Sequence, residues 1–584
     1  MNFTSVFLLI TSLIFPALNS SPDLRTPYEK GNGNQTATYS ETMAYYKLLD
    51  EQFTEIKMIE YGLTDAGKPL NLVVVSKDGD YDPKTVRYKN MRVVLVNNAI
   101  HAGESEGVDA SMMLVRDLVQ KKELRKYLDK VVFCVIPMYN IDGALNRGCC
   151  SRANQNGPEL YGFRGNGQNL DLNRDFIKCD SKNARSFTQL FREWQPDMFL
   201  DNHTSNGADY QYTLTYIANH PNALPQNLSN YMHKELIPNL EKGTEKDGFP
   251  MVPYVETLTE IPDSGLVGFV SPPRFSTGYA SLFNTLSFTV ETHMWKPFHK
   301  RVEATYVFMK HIMDKVYMDS DKIARLRKEA NQSIFSQQHI LNWEFDKDKF
   351  GWINFKGYEA KYKPSEISGL QRLYYDRSAP YTRKIKFYNY AKPGVTVKVP
   401  DYYIVPQTWW RVIELLKLNA VEMTQMPDNR LVKNAAMYYI TGFDNSPRAP
   451  YEGHYLHTNV KLREEKQEVQ FLEGDYIIKT NQQAFKFIVE TLEPQAPDSY
   501  FAWNFFDAIL QQKEYFSDYI FEETALELLN ANATLKAELA ARQKQDSAFA
   551  KNVYSQLDFI YKQSAHYEKT HKRYPVARVF GQLQ

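Results

Sequence analysis

His101 and Glu104 stand close together in "NNAIHAGESEGVDASMML" (Asn97 to Leu114), between an apolar run and a helical pattern. A hydrolytic zinc site takes three protein ligands and leaves a fourth position for water. On the irregular turn after a strand, His-x-x-Glu spacing lets both side chains point to one spot. Glu106 falls further round, in the first turn of the next helix, so Glu104 is the better ligand. His203, which ends "MFLDNH", is the natural third. No His-Glu-x-x-His occurs, so a helix-borne zinc protease site is not supported. Taken singly, these residues also read as a solvated loop Glu and a satisfied strand-end His.

"NLDLNRDF" (Asn169 to Phe176) brings Asp171, Asn173 and Arg174 close together. A His ligand often donates its second N–H to a carboxylate, and Asp171 can serve His101 in that way. Arg binds carboxylates through two parallel hydrogen bonds, so Arg174 can hold a substrate carboxylate with Asn173 assisting. Arg164, in "GFRGN", can stabilise an oxyanion near the metal. The alternative for each Arg is a surface ion pair. Glu291 lies in the apolar strand "SFTVETHMW", where an unpaired Glu is costly. A general base acting on metal-bound water would justify it; a solvated strand end is the plainer reading. His293, two residues on, is a weaker fourth ligand or supporting group. His454 and His457 in "HYLH" have ligand spacing on a helix but no third partner, which favours a surface role.

Strand ends must position these groups. "LNLVVVSKDG", "RVVLVNN", "KVVFCVIPMYN", "PDMFLDNH" and "LSFTVETHMW" read as strands, several of them continuously apolar. Helical patterns lie between, including one face formed by Val108, Met112, Val115 and Val119. Such alternation predicts an α/β fold, a mixed, largely parallel sheet covered by helices on both faces. Ligands then bind beyond the carboxyl ends of the strands. "RVEATYVFMKHIMDKVYM" reads as a closing helix. Beyond it, "RKIKFYNY" and "VTVKVPDYYIV" read as half-exposed strands, while "WWRVIELLKLNAV", "DSYFAWNFFDAILQQ" and the stretch from about Thr534 to Tyr561 read as helices. The expected organisation is a first domain over residues 36–315 and a mixed α+β C-terminal region over 335–584.

The chain has 584 residues, enough for two or more domains. Lys+Arg and Asp+Glu both total 69, so no net charge argues for a nucleic-acid partner. An uncharged, largely apolar stretch from Val6 to Leu18 fits a secretory signal over residues 1–20, and no other segment is apolar enough to span a bilayer. Secretion or a periplasmic location is expected. Of the four cysteines, Cys134 reads as a buried strand thiol, and Cys149 or Cys150 can pair with Cys179 in an oxidising compartment. Four free thiols are the alternative.

"HAGE" with a distant His, "NIDG", "GFRGNGQNLDLNRDF" and "FTVET", in that order, resemble the zinc metallocarboxypeptidases of the carboxypeptidase A and carboxypeptidase D type. The resemblance spans roughly residues 36–315, with the remainder like the C-terminal extension of secreted bacterial members. It implies the carboxypeptidase-like fold and one Zn2+ per chain held by His101, Glu104 and His203. It also implies that Arg164 polarises the scissile carbonyl, Asn173 and Arg174 grip the substrate's C-terminal carboxylate, Asp171 orients His101, and Glu291 is the general base. The substrates would be peptide or protein C-termini. The family's Asn-Pro-Asp-Gly is "NIDG" here, and its mobile Tyr has no clear match. Tyr279 in "PPRFSTGYASL" is the candidate substrate-binding Tyr, with Tyr254 as another. Arg274 in the same loop reads as a surface Arg. Two rival readings remain: a cell-wall peptide amidase on the same fold, and a catalytically silent peptide-binding protein.

Overall fold

A computed structural model describes residues 22–333, 335–445 and 449–583. The expected signal segment lies outside the described residues. The first part of the chain supplies β1 (Ile56–Leu63), β2 (Pro69–Val75), β3 (Arg92–Asn97), β4 (Val131–Ile136), β5 (Met198–Ser205), β6 (Leu214–Ala218), β7 (Met251–Pro253), β8 (Leu266–Val267) and β9 (Leu286–His293). All but β8 form one sheet in the order β1-β2-β4-β3-β5-β9-β6-β7. Its centre, β4-β3-β5-β9, is parallel. β1 and β2 pair antiparallel on one side, and β6 runs antiparallel to β9 on the other.

The continuous apolar runs are explained by burial on both faces. β3, β4 and β5 are buried at every position. Successive side chains point to opposite faces. Val94, Val96, Phe133 and Leu200 therefore pack under helices Glu106–Gln120 and Phe298–Met318, whose Val108, Met112, Val115, Phe308 and Ile312 join them. Val93, Leu95, Cys134 and Phe199 face the other way, onto Phe187 and Phe191 of helix Lys182–Trp194. This second core continues into the C-terminal region, taking in Tyr403, Leu416, Phe487 and Trp503.

After two short strands, Gln338–Ile340 and Trp343–Phe345, the C-terminal region forms a long hairpin, Gly351–Pro364 with Gln371–Tyr388, whose second strand pairs with β8. A six-stranded sheet follows, its pairs all antiparallel. Helices Asp518–Ala531, Ala533–Gln545 and Val553–Tyr561 enclose a small core of their own around Phe521, Leu535 and Leu557. Among the described residues, no helix is long and apolar enough to cross a membrane.

Three expectations are corrected. "DSYFAWNFFDAILQQ" is not a helix: only Asp507–Leu510 forms a 3-10 turn. Tyr500, Phe501, Trp503 and Phe506 are all buried, and a regular helix with one apolar stripe would expose part of that set. Asn504 takes φ +66, which breaks the helical path. "HYLH" is not helical either: His454 closes a turn on Asp180, and His457 starts a strand and contacts Asp507. The bridge to Cys179 is absent. Cys149 is joined to Cys150 on an exposed loop, whereas Cys179 is a free thiol buried in the core beside Thr188.

Candidate active site

The chain leaves β3 at Asn97, turns through His101 and Glu104, and enters a helix at Glu106. That helix starts hard against β5. A Cβ on Gly107 would stand 2.6 Å from Asn202 Cβ, so the close approach depends on glycine. β5 carries His203, and the parallel β9 places Glu291 beside it in register. All four groups thus gather beyond the carboxyl edge of the parallel strands.

The two His rings turn the same atom inward. His101 Nδ1 and His203 Nδ1 lie 3.2 Å apart. Glu104 brings Oε1 to 3.2 Å from the first and Oε2 to 3.1 Å from the second. The outer ring nitrogens are both occupied: His101 Nε2 is 2.9 Å from Asp171, and His203 Nε2 is 2.9 Å from Asp201. With each Nε2–H donated to a carboxylate, each Nδ1 presents a lone pair to the centre. Two lone pairs and a carboxylate, all buried, converge within 4.8 Å of one another. Such a set repels itself unless a cation sits within it, and two nitrogens with one carboxylate suit zinc. Burial opposes the charge on Glu104, and the Arg152 guanidinium beside it favours that charge. Arg152 Nη1 lies 2.9 Å from Glu104, and the Thr204 N–H donates to it at 2.9 Å. Glu106 points elsewhere, to Thr204 Oγ1 at 2.7 Å and to Arg301.

The cluster opens into a cavity of about 750 Å³ also lined by Glu291, Arg164, Asn173, Arg174 and Tyr254. Burial pushes the Glu291 carboxyl up to about 7. Arg164 grips Asp171 at 2.8 and 3.2 Å and reaches within 3.3 Å of His101 Nδ1. Burial works against the Asp171 charge too, yet His101 and Arg164 hold its carboxyl far down. Asp171 is the N-cap of the 3-10 turn Leu172–Arg174 and accepts from the Asn173 N–H at 2.9 Å. Asn173 is buried, and its Oδ1 has no hydrogen-bond partner. The Arg174 guanidinium lies over the Phe275 ring at 4.3 Å, and its Nη1 donates to the Asn173 carbonyl at 2.8 Å.

Tyr279 does not reach the cavity. It is fully buried on the opposite face of the sheet among Phe176, Phe191 and Phe283, and its hydroxyl donates to Asn419 at 2.7 Å. Helix Ser276–Leu282 turns Thr277, not Tyr279, toward the cavity. Arg274 pairs with Asp498 at 2.8 Å and is not a free surface Arg. His293 is buried, with Nε2 2.8 Å from the Ala208 carbonyl, outside the ligand cluster.

Residues 42–223 match the family model described as zinc carboxypeptidase. The match covers about a third of the chain and holds the converging His and Glu residues. The match takes in His101, Glu104, Arg164, Asp171, Asn173, Arg174 and His203, while Glu291 lies beyond it. Carboxypeptidase 2 of Trichophyton rubrum is 22% identical over 523 residues, covering 83% of this chain and 89% of its own length. Probable carboxypeptidase 2 of Trichophyton verrucosum is 23% identical, covering 69% and 75%. A solved metallo-carboxypeptidase from Burkholderia cenocepacia superposes with a TM-score of 0.36 at 17% identity, covering 49% of this chain and 70% of that one. The family match and the Trichophyton relatives support a hydrolase of the zinc carboxypeptidase type.

Several residues at the carboxypeptidase site were not singled out from the sequence. Asp201 sits two positions before His203, on the same side of β5, and that alternation was the available signal. Arg152 carried no signal in its exposed-looking loop. Tyr451 and Glu452 of the C-terminal region also reach the site: Tyr451 Oη lies 3.0 Å from Arg174 Nε, and Glu452 accepts the Asp171 N–H at 2.7 Å.

Proposed function

We propose that this carboxypeptidase is secreted, uses one Zn2+ per chain held by His101, Glu104 and His203, and removes single residues from peptide or protein C-termini. The uncharged apolar stretch from Val6 to Leu18 supports secretion. The catalytic unit spans residues 36–315, with the C-terminal region of 335–584 packed on it. Zinc in this donor set acts as a Lewis acid on a carbonyl oxygen and makes water acidic near neutral pH.

The chain's own residues do the rest. Asp171 and Asp201 hold the two imidazoles in the tautomer that turns Nδ1 inward. Arg174, with the Asn173 Nδ2–H assisting, receives the substrate's terminal carboxylate. Arg164, beside His101, faces the oxygen that gains charge as the carbonyl becomes tetrahedral. Glu291 takes a proton from the attacking water and delivers it to the leaving amine. Burial that raises the Glu291 carboxyl suits a group that both accepts and returns a proton.

The observation that carries this reading is the single cavity. It presents three ligating atoms, a raised carboxyl and the Arg174 guanidinium beside Asn173, all within one volume. The test is hydrolysis of paired peptides with free and amidated C-termini, with and without a zinc chelator, by wild type and Glu291→Gln. Release of single residues from the free-acid peptides alone is expected, abolished by chelation. Glu291→Gln should lower kcat by about 10²–10⁴-fold. Equal cleavage of amidated peptides, or internal cleavage, would overturn the reading.

A further inference from the structure

We infer that the turn Tyr451–His454 of the C-terminal region is a strut that presets the carboxylate-binding arginine, so that the carboxypeptidase site is incomplete without the second half of the chain. The inference rests on the reading of Arg174 as the anchor for the substrate's terminal carboxylate.

Arg174 has five N–H donors, and two directions are already taken. Nε donates to Tyr451 Oη at 3.0 Å, and Nη1 donates to the Asn173 carbonyl at 2.8 Å. With the guanidinium laid on Phe275 and Nη2 3.7 Å from Asp171 Oδ2, its plane and rotation are fixed at the cavity wall. An arginine held in this way loses little rotamer freedom when a carboxylate arrives. Removing the Tyr451 hydroxyl would free the fork to swing.

Glu452 acts one step earlier. Its carboxylate accepts the backbone N–H of Asp171, the residue that caps the Leu172–Arg174 turn. That bond fixes where the turn begins, and hence where Asn173 and Arg174 point. Glu452 is held in a conformation that does not come free. It takes φ +50 and Gly453 takes φ +80, with reciprocal backbone hydrogen bonds between Tyr451 and His454 of 2.7 and 3.0 Å. A non-glycine residue with positive φ persists where its surroundings insist on it. Here Trp503 stacks on the Tyr451 ring at 6.1 Å, and His454 is tied to Asp180 at 2.8 Å. Both ends of the turn are thus clamped. Tyr451 and Glu452 touch no reacting atom; they are positioning residues.

The experiment compares kcat and KM for a free-acid peptide among Tyr451→Phe, Glu452→Ala, Glu452→Gln and Arg174→Ala, with zinc content and Tm recorded for each. Tyr451→Phe and Glu452→Ala should raise KM by roughly 10–100-fold, the scale of one lost hydrogen bond to a charged group, with kcat within about twofold. Glu452→Gln keeps an accepting oxygen and should return KM to within about threefold of wild type. If Arg174→Ala raises KM while neither position 451 nor 452 does, the strut alone fails. If Arg174→Ala leaves KM unchanged, the anchor reading fails and takes the strut with it. A fall in kcat accompanied by loss of zinc or of Tm, with KM unmoved, would mark the turn as merely structural and also overturn the inference.

Discussion

His203 and Glu291 are held by a sheet, whereas Arg174 is held by contacts. β5 and β9 run parallel and in register, buried on both faces, so the backbone ladder alone sets the separation of the ligand and the proposed base. Arg174 lies on a three-residue 3-10 turn and takes its direction from Phe275, Asp171 and Tyr451. A strand end cannot adjust without breaking the ladder; a turn can pivot when one contact is lost. The expected consequence is that damage on the sheet side is nearly all-or-none and falls on kcat and metal. Damage on the turn side should be graded and fall on KM.

The largest effect should come from His203→Ala. It removes one of three converging atoms and leaves a buried Glu104 facing a single His. Zinc content measured by elemental analysis should fall from one per chain to well below it, and peptide hydrolysis to background. Full zinc occupancy with residual turnover would break the comparison, because it would show that the sheet side also tolerates graded loss.

Asp201→Asn should do less, and it sharpens the contrast. The Asp201 carboxylate holds His203 Nε2 and fixes its tautomer. Supporting carboxylates of this kind are worth about 10–100-fold in metal affinity or activity. The loss should appear in kcat and in the chelator concentration needed for inactivation, with KM within about twofold. A change confined to KM would place Asp201 on the turn side of the division.

The same division decides what the sequence made legible. The sheet and its order of helices follow from apolar runs and periodicity, since strands buried on both faces cannot carry polar residues except at their ends. His203 and Glu291 stand out because they close apolar runs, His101 and Glu104 because they follow one on a turn, and the structure brings all four round one cavity. Tyr279 was misplaced because spacing along the chain says nothing of rotation about a short helix, and that rotation sent its ring into the core. The stretch 498–512 departs from the expected helix because Tyr500, Phe501, Trp503 and Phe506 are buried together, more than one helical stripe can hide. Tyr451 and Glu452 had no local signal at all, since their partners lie 277 and 281 residues away. Contacts of that kind follow from how two regions dock, which no short pattern encodes.

Asp109 allows the sheet side to be probed without touching the cavity, and its effect should be the smallest. It lies in the helix that follows the ligand turn, fully buried, accepting from the Thr36 hydroxyl and the Ala37 N–H. Burial pushes its carboxyl from the usual 3.8 up to about 7. Between those values the folded chain holds a proton that the unfolded chain has released. The folded state is therefore favoured most below about 4, and that contribution drains away as pH climbs toward 7. Asp109→Asn keeps a neutral side chain of the same shape and has nothing to titrate. The difference in Tm, variant minus wild type, should rise steadily from pH 5 to about 7.5, while KM and kcat at neutral pH stay within about twofold. Parallel Tm curves would show that the carboxyl is ionised throughout. A shift in KM would show that the helix beneath the ligand turn reaches the substrate after all, and the line between the rigid and the adjustable side of the site would have to be redrawn.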